Sequence, residues 1–262
     1  MMSSILLFDS GVGGLSILEH VREAFPQWPV HYLADNARFP YGELEEENLI
    51  HGCVHLITTL VRELTPAMVV VACNTASTLA LPALRSALPI PVIGVVPAIK
   101  PAAALSHTGT IALLATPGTV RRSYTDGLIQ DFAPHCRVIR LGSSDLVRMA
   151  EEKLSGKAVD TSQLHKVLAP LLAEAELDAV VLGCTHFPLL RDEIGQVLGP
   201  KVRLVDSGSA IARRVGTLVN ESRVLPGKQQ GGYYCTGQVP SAALAGYLEG
   251  CGLVFSTRIA AS

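Results

Sequence analysis

Residues 68–77 read MVVVACNTAS, an apolar run with three valines that ends in a cysteine and a group of polar residues. A short run of β-branched residues is typical of a buried strand, and the polar residues behind it are typical of a loop that begins a helix. In open parallel sheets, ligands bind where such strands end. The pattern therefore predicts that the thiol of Cys73 lies at the edge of a sheet, beside a ligand site.

The same pattern occurs a second time, at residues 178–190, which read DAVVLGCTHFPLL. The apolar strand ends at Gly183, and Cys184 follows with Thr185 and His186 behind it. A helix N-terminus favours a nearby thiolate, and an ordinary thiol pKa of about 8.5 is close enough to neutral for base catalysis. Two such thiols in two halves of one chain predict a pair that faces each other across a cleft.

The composition is that of an ordinary globular protein. The chain has 262 residues, of which 48 % are hydrophobic and 17 % charged, enough for a large core. The net charge of −2 argues against a dedicated nucleic-acid or membrane-surface binder. No apolar run is long enough to span a bilayer, and the first residues, MMSSILLFDSG, lack the basic region of a signal peptide. Six cysteines without a C-x-x-C pair favour a cytoplasmic protein with reduced thiols and no metal site.

Apolar strands and amphipathic helices alternate along the chain, which predicts parallel sheets with helices on both faces. The pattern restarts near Pro97, so we predict two similar parallel-sheet α/β domains with the active site in the cleft between them. The tail is too small for a domain, and we expect it to pack on the first unit. It is predicted to contain a polar loop over residues 220–232, a strand over 233–236 and a closing helix near 241–248. The predicted domains are residues 1–97 plus 207–262 and residues 98–206.

A glycine-rich loop, DSGVGG at residues 9–14, follows the first strand. Glycines at a strand-to-helix turn let a ligand approach the backbone, and the helix N-terminus favours an anion. A rival interpretation is a dinucleotide-binding fingerprint, with Asp35 after the second strand as the ribose-binding acid. The match is incomplete, because the third glycine position is occupied by Ser16.

The two thiols allow three kinds of chemistry. One could be a nucleophile with His186 as its base, although a catalytic base is normally brought from elsewhere in the fold. The two could form a redox disulfide. They could also be opposed proton carriers, one taking a proton from one face of a carbon and the other delivering a proton to the opposite face. The near-equal architecture of the two motifs favours this third use.

Five motifs in order make this chain resemble the glutamate racemases of the cofactor-independent aspartate/glutamate racemase superfamily. The resemblance runs from about Leu7 to Val219. The motifs are FDSGVGG at 8–14, PYG at 40–42, CNTAS at 73–77, GCTHFPL at 183–189 and DSG at 206–208.

The resemblance implies specific roles for individual residues. Cys73 and Cys184 would be the two catalytic bases, for D- and L-glutamate respectively, and Asp9 and His186 would assist proton transfer. Asp35 and Glu151 match less certain assisting acids, and the neighbour Glu152 leaves the register of the second one open. The implied substrate-binding positions are Asp9, Ser10, Tyr41, Gly42, Asn74, Thr75, Thr185 and His186, and Thr116 and Thr119 are further candidates for the wall of the cleft.

The implied activity is the interconversion of L- and D-glutamate without a cofactor or metal, which supplies D-glutamate for peptidoglycan, cell-wall biogenesis and cell shape. Some family members carry an extra N-terminal segment and depend on a cell-wall precursor as activator. This chain begins almost at its first strand, so activation stays open, as does assembly into a homodimer. Two alternatives remain: an aspartate racemase or related enzyme on the same scaffold, and a non-catalytic protein that binds a small molecule or a topoisomerase.

Overall fold

A computed structural model of the chain describes residues 2–222, 224–228 and 230–260. The strands, numbered along the chain, are β1 (Met2–Ser3), β2 (Ile5–Asp9), β3 (Val30–Ala34), β4 (Met68–Val71), β5 (Val92–Gly94), β6 (Thr110–Ala115), β7 (Arg137–Gly142), β8 (Leu177–Leu182), β9 (Arg203–Val205), β10 (Leu225–Pro226), β11 (Gly231–Cys235) and β12 (Leu253–Arg258). The α-helices are α1 (Leu15–Ala24), α2 (Glu46–Leu64), α3 (Asn74–Ala87), α4 (Ile99–Leu105), α5 (Pro117–Arg121), α6 (Ser123–Phe132), α7 (Asp145–Leu154), α8 (Thr161–Leu172), α9 (Arg191–Leu198), α10 (Gly208–Ser222) and α11 (Ala242–Gly250). Short 3-10 turns occur at Tyr41–Glu43 and Phe187–Leu190.

The larger sheet is entirely parallel and has the strand order β12-β11-β3-β2-β4-β5. Alternate residues of β2 enter two separate cores, because successive side chains of a strand point to opposite faces. Ile5 and Leu7 pack with α1 and α10, whereas Leu6 and Phe8 pack with α2 and α3. The central strands are thus buried on both faces, as their uninterrupted apolar sequences predict.

The smaller sheet is also parallel, with the order β7-β6-β8-β9, and has a core on each face. The predicted fold class, two parallel-sheet α/β units, is therefore confirmed. Strands β11 and β12 from the tail extend the larger sheet beside β3. The domain boundaries given above stay a prediction.

The tail differs from the prediction in two places. The chain does not close on α11, because β12 follows it as the edge strand of the larger sheet. Only Leu253 of this strand is buried, although Val254 and Phe255 are apolar too, and the strand is held at the edge by its pairing with β11. The predicted loop over residues 220–232 includes the end of α10 and strand β10, which pairs with β1; residues 223 and 229 lie outside the described residues.

In the described part of the chain, no helix is both long enough and apolar enough to cross a membrane.

Candidate active site

A cavity lies between the carboxyl ends of the two sheets. Strand β4 leads into Cys73 on one side of it, and β8 leads into Cys184 on the other. Both thiols are buried and free. The lining residues are Ser10, Phe39, Pro40, Tyr41, Gly42, Glu43, Cys73, Asn74, Thr75, Thr116, Thr119, Ser144, Val147, Gly183, Cys184, Thr185 and His186.

Cys73 occupies the N-cap position of α3. Its Sγ accepts a hydrogen bond from the backbone N–H of Ala76 at 3.5 Å and donates one to Ser10 Oγ at 3.8 Å. Burial raises the pKa of the Cys73 thiol well above its ordinary value, and the negative charges of Asp9 and Cys184 add to this effect, although the Ala76 N–H opposes it. The Cys73 thiol therefore keeps its proton.

Cys184 has different surroundings. Its Sγ lies 3.8 Å from Nδ1 of His186, whose Nε2 lies 2.8 Å from Oε1 of Glu151. Burial alone would lower the pKa of His186, but the contacts with Cys184 and Glu151 together outweigh burial and raise that pKa well above its ordinary value. A protonated imidazole beside a sulfur atom favours the thiolate. The chain thus places a proton on His186 next to the second thiol.

Asp9 is fully buried at the end of β2 and does not line the cavity itself. Its Oδ1 accepts a hydrogen bond from the Gly11 N–H at 3.0 Å, and its Oδ2 accepts one from the Thr185 hydroxyl at 2.9 Å. Burial raises the pKa of Asp9, although the charge on His186 and the hydrogen bonds from Gly11 and Thr185 oppose the rise. Asp9 therefore joins the first loop to the second half of the molecule directly behind the cavity.

The glycine-rich loop leaves room for side chains of the other half. A Cβ atom on Gly11 would lie 2.1 Å from Oε1 of Glu151, and one on Gly13 would lie 2.5 Å from Nδ1 of His186. The N–H of Val12 donates to Oε1 of Glu151 at 2.9 Å. Protein side chains thus fill the space where the dinucleotide interpretation would put a phosphate, and the glycines serve the contact between the two halves.

The other predicted substrate-binding residues surround the cavity. Tyr41 begins a 3-10 turn, and the first N–H groups of such a turn have no partner within it. Gly42 faces Thr116 across the cleft, since a Cβ on Gly42 would lie 3.6 Å from Cβ of Thr116. Within the described residues, Oδ1 of the buried Asn74 has no hydrogen-bond partner. An acceptor of this kind beside a cavity suits a ligand that brings a donor, such as an ammonium group.

Two of the predicted acids lie away from the cavity wall. Asp35 is fully buried, and its carboxylate accepts hydrogen bonds from Arg38 Nε at 2.7 Å, from the Thr236 hydroxyl at 2.6 Å and from the Tyr41 hydroxyl. Glu152 pairs with Lys157 at 3.1 Å on the surface. Of the two adjacent glutamates, Glu151 is the one that reaches the site.

The predicted site residues leave out six lining residues, one of which is Gly183, just before the second cysteine. Phe39 and Pro40 belong to the same turn as Tyr41, and the Phe39 ring lies 5.7 Å from the His186 ring, so the turn itself was the available signal. The others are Glu43, Ser144 and Val147, which no recognisable pattern marks.

Comparison with known proteins agrees with this geometry. Residues 15–215 match the family model described as Asp/Glu/Hydantoin racemase. The chain is 54 % identical to the glutamate racemase of Shewanella sp. (strain MR-7), over 99 % of this chain and 97 % of the relative. It is 56 % identical to that of Shewanella woodyi, over 89 % of this chain and 87 % of the relative. Its structure matches Escherichia coli glutamate racemase, crystallised with L-glutamate and the activator UDP-MurNAc-ala, with a TM-score of 0.94, 44 % identity and coverage of 100 % of both chains. The chain therefore belongs to the Asp/Glu/Hydantoin racemase family, among its glutamate racemases.

Proposed function

We propose that this protein interconverts L- and D-glutamate by a two-base mechanism in which Cys73 and Cys184 are the bases. The observation that carries the proposal is the pair of buried thiols that line one cavity. Each thiol follows a strand of a different sheet, and each has its own hydrogen-bonding partners. A reaction that inverts a stereocentre needs proton carriers on both faces of one carbon. This arrangement meets that requirement.

In the direction from L to D, the Cys184 thiolate takes the α-proton, and the Cys73 thiol gives its proton to the opposite face of the same carbon. The C–H bond on the side of Cys184 breaks, and a new C–H bond forms on the side of Cys73. The negative charge thereby passes from Cys184 to Cys73. Cys73 is the proton donor in this direction because burial raises its pKa, and His186, whose pKa is also raised, lies beside Cys184. D-Glutamate uses the two thiols in reverse.

The α-hydrogen of an amino acid is a very weak acid, so the site has to stabilise a carbanion-like transition state. An α-amino group that stays protonated makes the α-carbon more acidic. Oδ1 of Asn74, which has no hydrogen-bond partner within the described residues, is the acceptor that suits this ammonium group. We assign the α-carboxylate to the Asn74 amide and the Thr75 hydroxyl, and the γ-carboxylate to Ser10 and the Tyr41–Gly42 turn. Closure of the two halves would exclude water.

The experiment is circular dichroism of L-glutamate, and separately of D-glutamate, with the purified protein under reducing conditions. Decay of both signals to zero is expected, and exchange of the α-proton with heavy water should accompany it. Aspartate in place of glutamate tests the related racemases of the same scaffold. Binding without exchange would favour the non-catalytic alternative.

The two-base assignment makes a prediction for each thiol. The variants C73A and C184A should each lose racemisation, because one face of the carbon then has no proton carrier. Each should still fold, since cysteine to alanine removes one small buried atom. Near-normal turnover in either variant would contradict the assignment.

The cellular role and the regulation belong to the same proposal. Supply of D-glutamate for peptidoglycan, in the cytoplasm where six free thiols stay reduced, fits the chemistry. The E. coli relative was crystallised with an activator, UDP-MurNAc-ala. Repeating the assay with and without this compound tests whether the present chain is activated; oligomeric state stays a prediction.

A further inference from the structure

Thr236 lies at the end of β11, in the C-terminal tail that the sequence motifs do not reach. It is 2 % exposed, and its hydroxyl donates to Oδ1 of Asp35 at 2.6 Å and accepts from the N–H of Ala37 at 3.0 Å. Asn36 strengthens the joint, because its Oδ1 accepts from the N–H groups of Thr236 and Gly237 at 3.2 and 2.7 Å. The tail is thus hydrogen-bonded to the loop that leads to the cavity.

Asp35 connects this joint to the cavity wall. While Oδ1 faces Thr236, Oδ2 accepts hydrogen bonds from the Tyr41 hydroxyl and from Arg38. Burial raises the pKa of Tyr41 far above its ordinary value, and Cys53 and Asp35 raise it further. The Tyr41 hydroxyl therefore keeps its proton and remains a donor to Asp35. Its ring and backbone, not its hydroxyl, are left to form the cavity wall.

We propose that Thr236, acting through Asp35 and Tyr41, is a positioning residue that holds the Tyr41–Gly42 turn where it binds the γ-carboxylate of the substrate. This inference rests on the proposed function. It gives the C-terminal tail a part in substrate binding, and it makes Asp35 a positioning residue rather than a proton carrier.

The kinetic consequence is specific. The γ-carboxylate is common to both enantiomers and does not take part in the transfer of the α-proton. If the turn that binds this group is less well held, the ground state and the transition state should be bound more weakly by the same amount. This raises KM and leaves kcat nearly unchanged. We expect KM to rise about fivefold to tenfold for L- and D-glutamate alike, less than the loss of a direct hydrogen bond to a charged group, because Thr236 acts through two other residues.

The test compares T236V with T236S and T257V. Valine keeps the shape of threonine without its hydroxyl, and serine restores the hydroxyl. Thr257 is an exposed threonine on the neighbouring strand. Within the described residues, its hydroxyl hydrogen-bonds only to the carbonyl of the next residue. T236V should show the raised KM, T236S should have a KM close to that of the unmodified protein, and T257V should match the unmodified protein. The ratio of kcat/KM for glutamate to kcat/KM for aspartate should also fall in T236V, since the turn recognises the longer acid.

A second variant protects the test against a folding defect in T236V. Y41F removes only the Tyr41 hydroxyl, at the other end of the chain of hydrogen bonds from Thr236 through Asp35, and should raise KM by a similar factor. The double variant T236V/Y41F should be little worse than either single variant, because both remove one chain of contacts. Fully additive effects, or a T236V protein with the kinetics of T257V, would overturn the inference while leaving the racemase intact. An unmodified protein that does not racemise glutamate would instead overturn the proposed function, and the inference with it.

Discussion

Replacing Glu151 by glutamine removes one charge from the second thiol's network while keeping its shape. Oε1 of Glu151 accepts hydrogen bonds from the Val12 N–H at 2.9 Å and from His186 Nε2 at 2.8 Å. A hydrogen bond to a charged group contributes about 1.5–3 kcal/mol, and a neutral one about 1 kcal/mol. The Glu151 side chain is 26 % exposed, so solvent screening puts the difference near the lower end, at about 1 kcal/mol. That difference lowers the pKa of His186 and corresponds to a factor of about five in its protonation equilibrium.

The sign of the pH effect follows from the direction of the shift. The pKa of His186 is raised in the folded protein, so the protonated imidazole persists above the ordinary pKa of histidine and is lost only as the pH rises through the folded value. In E151Q this loss should occur at lower pH. The stabilisation that the protonated His186 gives to the folded state should disappear over the same lowered range.

The assay is kcat/KM against pH in both directions. L- and D-glutamate have equal free energies, so kcat/KM must fall by the same factor in each direction, here up to about fivefold on the alkaline side. The two thiols can be told apart by isotope effects. Slowing the Cys184 step should increase the effect of α-deuterium on L-glutamate, whose proton Cys184 removes, and decrease it on D-glutamate.

The matched control is E152Q, one residue away, where the carboxylate pairs with Lys157 on the surface. This control should keep the pH profile and the isotope effects of the unmodified protein. If E151Q also keeps them, His186 does not depend on Glu151, and the reasoning that links the acid to the second thiol is wrong.

Two further substitutions test the packing that the site depends on. Gly13→Ala puts a Cβ 2.5 Å from Nδ1 of His186 and should cost about 1–3 kcal/mol of stability together with a large loss of kcat. Gly127→Ala, in open space inside α6, should keep kcat and raise stability by about 0.5–1 kcal/mol, because alanine is the better helix former; melting and racemisation assays check both. Phe187→Ala removes a fully buried ring from the core behind Cys184 and should lower the free energy of unfolding by about 3–5 kcal/mol in a urea titration, while a change below 1 kcal/mol would mean that this core repacks freely.

The predictable part of this structure is the part that local sequence determines. Strand β4 and the cysteine after it could be predicted, because four apolar residues followed by a polar helix start have few other solutions. Strand β12 was missed: its sequence begins with three apolar residues, but its place in the sheet depends on an edge left by β11, which the local sequence does not show. Thr236 carried no signal either, because its importance comes from a loop far away in sequence.

Asp35 shows the same limit at the level of one side chain. Asp9 and Asp35 both follow apolar strands, and these strands are neighbours in the sheet, so both acids were expected near the ligand. The register pairs Asp9 with Ala34, one position before Asp35. Successive side chains alternate between faces, so the two carboxylates point to opposite sides of the sheet. Asp9 therefore accepts a hydrogen bond from Thr185 in the second half of the chain, and Asp35 accepts one from Tyr41. A shift of one residue in register, which the sequence does not reveal, separates the two roles.

The two thiols have unequal surroundings although the proposed mechanism gives them equivalent roles. Cys73 has a neutral hydroxyl and a backbone N–H as partners, whereas Cys184 has a histidine supported by a carboxylate. The equality of the two enantiomers restricts only kcat/KM, and in the proposed mechanism both directions pass through the same carbanion between the same two sulfur atoms. Unequal surroundings can therefore change which thiol rests as the thiolate, and so which enantiomer the free enzyme accepts, without favouring either product. This freedom explains how the site can be built from two different loops and still catalyse both directions.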